Sequence, residues 1–346
     1  MSGTDRINYL NIGLMLASCV VALFVPFELF LFAYAVLGPA HYLTEISWLH
    51  KRNFFTKGQY DSWVIGGLGV ALFFASPIFT SNFNQADHFY TMAEFTVLAM
   101  GAALVFMLTE KLSHRLIVLA AVVAISLASL NVSLFFTMLV AVFVPTLIHV
   151  YVFTGFFMIY GSLKERSRTG YLAFAIFLAC PLLFLVLSPA PFMSSKYVME
   201  SYFKHFAVVN QAMLGIDPPR TVSDLTNAIQ QVFASHAGIV IMRFLAFAYT
   251  YHYLNWFSKT SIIRWHQVSK ARLGLLAGLW AAAVGLYAYD YSLGFKVLFC
   301  LSFLHLYLEF PLNHLSIIGT FKELRSMAGG QGTARVAVAH AGAGKR

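Results

Sequence analysis

The stretch from Glu28 to Leu49, ELFLFAYAVLGPAHYLTEISWL, decides how the rest of the chain is read. It is long enough to cross the hydrocarbon core of a bilayer, which takes roughly 17 to 25 apolar residues. Yet it carries His41 and Glu45, four residues apart and therefore on one face of a helix. Ionisable groups at membrane depth are costly and turn toward the bundle interior or a polar cavity, so each is a candidate for function. His149, His252, His305 and His314 lie in runs of the same kind, and His305 repeats the spacing with Glu309.

The rest of the chain agrees with that reading. It is 59% hydrophobic and 11% charged, with a mean hydropathy of +0.73, whereas a soluble domain is about 45 to 50% apolar and about 25% charged. The composition predicts an all-α, polytopic integral membrane bundle. Apolar runs near residues 8–25, 28–49, 62–80, 91–109, 115–131, 133–160, 170–189, 236–258, 272–290 and 294–317 give about ten transmembrane helices. The net charge of +9 does not indicate nucleic acid, because the basic residues are scattered over short loops, where they orient a protein in a bilayer. The loops after even-numbered spans hold Lys51, Arg52 and Lys57; Lys111 and Arg115; Lys164, Arg166 and Arg168; Lys259, Arg264, Lys270 and Arg272; and Lys322 and Arg325. On the opposite side, Asn82–Thr91 has Asp87 and no Lys or Arg and the turn near Asp290 is acidic, so both termini are expected in the cytoplasm, and the chain is expected to be a multi-pass protein of the bacterial plasma membrane. Cys19, Cys180 and Cys300 show no CxxC spacing and read as small buried residues. The apolar run continues past Cys19, so Leu16–Cys19 does not read as a lipoprotein cleavage box.

Residues 1–325 read as a single bundle, interrupted by one long exoplasmic connection, 190–235. Within it, Thr221 and Asp224 form a capping-box pattern ahead of Leu225, Ile229 and Val232, and Tyr197–Val209 is a second amphipathic stretch. The pair reads as interfacial helices capping the bundle, or as a lid hinged at Asp217-Pro218-Pro219. Residues 326–346 read as a flexible cytoplasmic tail.

All five histidines fall on even-numbered spans, and counting back from the basic markers puts them roughly 10 to 25 Å deep at 1.5 Å per residue. Four helices thus deliver imidazoles to overlapping depths. Imidazole with carboxylate suits non-haem iron first, and zinc or manganese after it. The expected metal ligands are His41, His149, His252 and His314, with His305 next; Glu45 and Glu309 act as ligands or orient the imidazoles. Tyr251 or Tyr253 is placed to orient a ligand. For any one histidine the competing reading is a hydrogen-bonded packing residue, and His314 lies close enough to the interface to be solvated. Arg243 is expected to pair with Glu94 or Glu28, or to snorkel outward.

A resemblance accompanies these residues. Gly38-Pro39-Ala40-His41-Tyr42-Leu43-Thr44-Glu45 resembles the G-x-P-H-G-A-x-D element of the bacterial Brp/Blh-type β-carotene dioxygenases, and Phe247-Ala248-Tyr249 leading to His252 is similar to their later F-x-x-Y-x-x-x-H segment. Here the Pro is shifted by one, Glu45 stands in place of Asp, and the later spacing differs. The resemblance implies a histidine-bound iron in the bilayer and an enzyme that uses dioxygen on a hydrophobic small molecule such as a polyene, sterol or acyl chain. Three other readings compete: a two-iron membrane hydroxylase or desaturase, a transporter for a metal ion or proton-coupled solute, and a bis-histidine haem protein.

Overall fold

A chain in lipid has no water to satisfy its backbone, so it must bond its own amides within helices or a closed barrel. The computed structural model describes residues 2–75, 85–132, 134–217, 221–259 and 268–328, and among these every regular element is a helix. The expected tail beyond Ala328 and the Pro218-Pro219 turn lie outside the described residues. Among the described residues, seven helices are long and apolar enough to cross a membrane: α1 (Gly3–Phe24), α2 (Pro26–His50), α4 (Gln85–Leu108), α6 (Phe135–Glu165), α7 (Arg168–Val186), α11 (Lys270–Tyr289) and α12 (Tyr291–Ala328). Shorter apolar helices are α3 (Asp61–Ala75) and α5 (Leu112–Val132). α8 is Lys196–Leu214, and α9 (Val222–Phe233) meets α10 (His236–Ser258) at a 62° bend. Arg243, His252, Asn255 and three tyrosines lower the hydropathy of α10, so only the bent pair together passes as a span.

Sequence punctuation explains the boundaries. Hydroxyl side chains cap the starts of six helices, from Ser2, Ser167, Ser195, Thr221, Ser235 and Ser269, each accepting a backbone N–H that the helix leaves unpaired. Val25 and Pro26 separate α1 from α2. Large apolar side chains such as Val20, Phe74, Ile117, Leu185 and Leu275 face outward, a surface fitted to hydrocarbon and unfavourable in water.

Two helices sit at the centre. α10 packs on α1 and the start of α2, while α12 packs on α3, α4, α11 and the second halves of α2 and α6. At Gly69 the backbones of α3 and α12 approach so closely that a Cβ would lie 3.2 Å from Leu304 Cα, next to His305. α2 and α6 each contain wide π-turns, at Ala33–Leu37 and Leu139–Phe153. Pro39 follows the first and Pro145 lies in the second, and a proline removes an N–H from the ladder. Neighbouring donors serve carbonyls in these turns: Trp280 Nε1 donates to Val36 O at 2.9 Å and Thr146 Oγ1 to Val142 O at 2.5 Å.

Arg243 differs from expectation. Its guanidinium is fully buried and donates to backbone carbonyls, Leu23 O at 3.1 Å and Pro189 O, with Ser188 Oγ at 3.4 Å. The ends of α1 and α7 offer carbonyls with no helical partner, and these take the place of a carboxylate.

Candidate metal centre

Four helices each bring one imidazole to a common point: His41 from α2, His149 from α6, His252 from α10 and His305 from α12. All four are buried, and one nitrogen of each lies within 4.8 Å of one nitrogen of every other. The rings form a closed cycle, His41 to His252 at 4.7 Å, His252 to His149 at 4.9 Å, His149 to His305 at 5.0 Å and His305 to His41 at 4.7 Å between centroids. Adjacent planes are tilted by 64° to 77°, and each ring contributes one nitrogen to the common group. Two nitrogens bound to one ion at about 2.1 Å are separated by roughly 3.0 to 4.2 Å for right-angle and opposite positions, which is the scale of this cluster.

The carboxylates join the same point. His41 Nε2 lies 3.1 Å from Glu45 Oε2 and His305 Nε2 lies 3.5 Å from Glu309 Oε2, as the four-residue spacing on each helix dictates. The two pairs also meet across the bundle: His305 Nε2 is 3.2 Å from Glu45 Oε2, and His149 Nδ1 is 3.5 Å from Glu309 Oε2. Glu45, His305 and Glu309 form a second group of three with ligand spacing, sharing His305 with the first.

Hydrogen bonds behind the rings decide which nitrogens face the centre. Thr154 Oγ1 donates to Val150 O at 2.9 Å, so toward His252 Nδ1, 2.8 Å away, it is an acceptor. That places the His252 ring proton on Nδ1 and leaves Nε2 bare, 3.1 Å from His41 Nε2. His305 Nδ1 faces the carbonyl of Ser302 at 3.4 Å, which likewise frees Nε2. A partner on the outer nitrogen is the usual means of fixing a ligand's tautomer.

The centre is otherwise unsatisfied. Both ring nitrogens of His149, Nδ1 of His41, Nε2 of His305, and Oε2 of Glu45 and of Glu309 are buried with no hydrogen-bond partner. Buried polar atoms without partners each cost about 1 to 3 kcal/mol, and a buried group with one nitrogen or carboxylate oxygen per residue at ligand spacing calls for a shared partner. The donors fit a metal that accepts imidazole and carboxylate. Cys19 and Cys180 lie against each other at the α1–α7 contact, outside this group. Lys259, just beyond the end of α10, faces the same region: burial pushes its ammonium down to about 8, while the Glu45 and Glu309 carboxylates act in the opposite sense.

His314 is not part of the cluster. Nine residues from His305 is two and a half helical turns, so it lies on the opposite face of α12, where its Nε2 donates to Met100 O at 3.0 Å. The tyrosines also divide. Tyr253 shares a hydrogen bond of 2.9 Å with Tyr42, and its ring lies 5.2 Å from that of His41. Tyr251 points instead at α1, donating to Asn11 Oδ1 at 3.2 Å. The sequence reading did not single out Thr154, whose only signal is a hydroxyl in an apolar run just over one turn after His149. Nor did it find Asn313, one turn beyond Glu309, buried with neither side-chain polar atom partnered.

A cavity of about 630 Å³ reaches this centre from the side of α8, lined at its inner end by Tyr42, His149, Tyr253 and His305. Comparison with protein families, with curated proteins and with solved structures returns no match to the chain.

Proposed function

We propose that the chain is a membrane-embedded non-haem iron oxygenase that acts with dioxygen on a hydrophobic, chain-like substrate. The observation that carries this reading is the ring of four buried imidazoles, each offering one nitrogen at ligand spacing and two of them, His149 and His305, with no hydrogen-bond partner for that nitrogen, at the end of an aromatic-lined cavity. His41, His149, His252 and His305 would hold the ion, with Glu45 and Glu309 as further ligands or proton acceptors. The four imidazoles alone would leave a bound iron open to dioxygen beside the substrate, Glu45 and Glu309 then serving as proton acceptors. Thr154 and the Ser302 carbonyl hold the outer protons of two ligands, so that the inner lone pairs stay available. The cavity walls exclude water and align a long apolar molecule past the ring. Such an enzyme can place one oxygen atom on each carbon of a cleaved double bond, a balance that needs no external reductant.

The second reading is a two-iron hydroxylase or desaturase, favoured by the Glu45, His305 and Glu309 group beside the four histidines. We also propose the topology: a bundle over residues 1–325 crossing the bilayer about ten times, both termini cytoplasmic, with α8 and α9 as an exoplasmic cap. The basic loops support it.

The test is dioxygen consumption by the iron-loaded protein given polyene, sterol and acyl substrates in turn, beside metal uptake into proteoliposomes. Substrate-dependent consumption that His149→Ala abolishes is expected. Metal flux across the membrane without consumption would replace the oxygenase with a transporter.

A further inference from the structure

The cavity that ends on the histidines has a second end of different chemistry. Its middle is apolar and aromatic, with Phe30, Tyr34, Phe206, Phe299 and Phe303 among its walls. Its far end is lined by Lys204 and His205 of α8 and by Lys296 in the second turn of α12. Lys204 Nζ donates to Ser292 Oγ at 3.1 Å, and His205 Nε2 lies 3.0 Å from the same oxygen, so α8 is fastened to α12 at this mouth. Burial first, and then the Lys204 charge, push the His205 imidazole down to about 4, leaving it neutral near pH 7. The charged groups there are Lys204 and Lys296 against Asp290, whose Oδ1 accepts the Leu293 N–H at 2.6 Å. Two cations against one carboxylate leave the mouth positive. At the inner end His149 is 4% exposed with neither ring nitrogen partnered.

We propose that this cavity binds a single-chain amphiphile with an anionic headgroup, the head at Lys204 and Lys296 and the chain running inward to His149 and His305. The inference rests on the metal-centre reading and names its substrate class. A wholly apolar polyene would fill the same walls without using either cation. Pockets for small molecules run from about 300 to 1,000 Å³, and this volume suits one chain more than the two of a phospholipid. Lys296 and His305 stand nine residues apart on one helix, about 14 Å of rise. An extended chain advancing roughly 1.25 Å per carbon therefore meets the histidines about eleven carbons from its head. The geometry selects a position in mid-chain, away from the carbon next to the headgroup.

The experiment uses the full chain in nanodiscs of zwitterionic lipid and displacement of a fluorescent fatty acid by palmitoleate, its methyl ester, palmitoleoyl lysophosphatidate and β-carotene. The expected result is that at least one anionic probe binds about tenfold more tightly than the ester. This preference should weaken with salt and vanish in the Lys204→Gln/Lys296→Gln variant while ester binding persists. The stronger of the two anionic probes tells a carboxylate from a phosphate head. Equal binding of ester and both anions, tighter binding of β-carotene than of either anion, or a preference that survives the double variant, overturns the proposal. Metal content measured on the same samples separates the two readings. Bound metal without headgroup preference removes the amphiphile and keeps the centre, whereas headgroup preference without metal removes the centre and keeps the binding site.

Discussion

His305 and His314 stand on the same helix, and the contrast between them shows what makes an intramembrane histidine a candidate ligand. His305 meets His41 and His149 ring to ring and has Glu45 and Glu309 within 3.5 Å, and its outer nitrogen rests on the Ser302 carbonyl. Its inner nitrogen has no hydrogen-bond partner. His314 sends its Nε2 proton to the Met100 carbonyl and so ties α12 to α4. Both are histidines in an apolar run. What separates them is the direction in which the helix presents each ring, and whether the protein satisfies the nitrogen that a ligand must keep bare.

The contrast can be sharpened by changing what surrounds each ring. The largest effect belongs to the carboxylates: Glu45→Gln and Glu309→Gln each keep the shape and remove the charge, and metal affinity should fall about 10- to 100-fold in chelator competition. Unchanged affinity would reduce both to packing groups and leave a centre of histidines alone. Next, Thr154→Val removes the acceptor that holds the His252 proton on Nδ1, and metal affinity should fall about tenfold, with Thr154→Ser restoring it. A loss that serine does not restore would place the effect in packing instead of tautomer control. The smallest effect is expected at His314→Phe, which keeps the volume and removes one hydrogen bond. It should cost about 1 kcal/mol in thermal unfolding and leave metal affinity unchanged.

Much of this was readable from residue spacing. His41 with Glu45 and His305 with Glu309 lie on common faces because an α-helix repeats every 3.6 residues, and that relation needs no tertiary information. Depth was also readable for the histidines that converge, since basic loop residues supply a ruler. Azimuth was not, because a ruler along the axis treats His305 and His314 alike although they face opposite ways. Tyr251 and Tyr253 flank His252 on its two sides, and only the packing of α10 against α1 and α2 decides which one reaches the cavity. The prolines at 39 and 145 are visible as interruptions, but the π-turns beside them are not, because the shift in register depends on Trp280 and other neighbours that accommodate it. Arg243 shows the same limit: its partners are helix-end carbonyls, which carry no signature in the sequence.

The central claim is that four imidazoles hold one shared metal and the fifth does not. Its most direct test is metal stoichiometry by mass spectrometry on the purified protein and on the five single variants His41→Ala, His149→Ala, His252→Ala, His305→Ala and His314→Ala. The account predicts near-stoichiometric iron in the unaltered protein and in His314→Ala, and loss of most of it in each of the other four. A folded protein without metal, or a His314→Ala variant that loses it as completely as His149→Ala, would contradict the account.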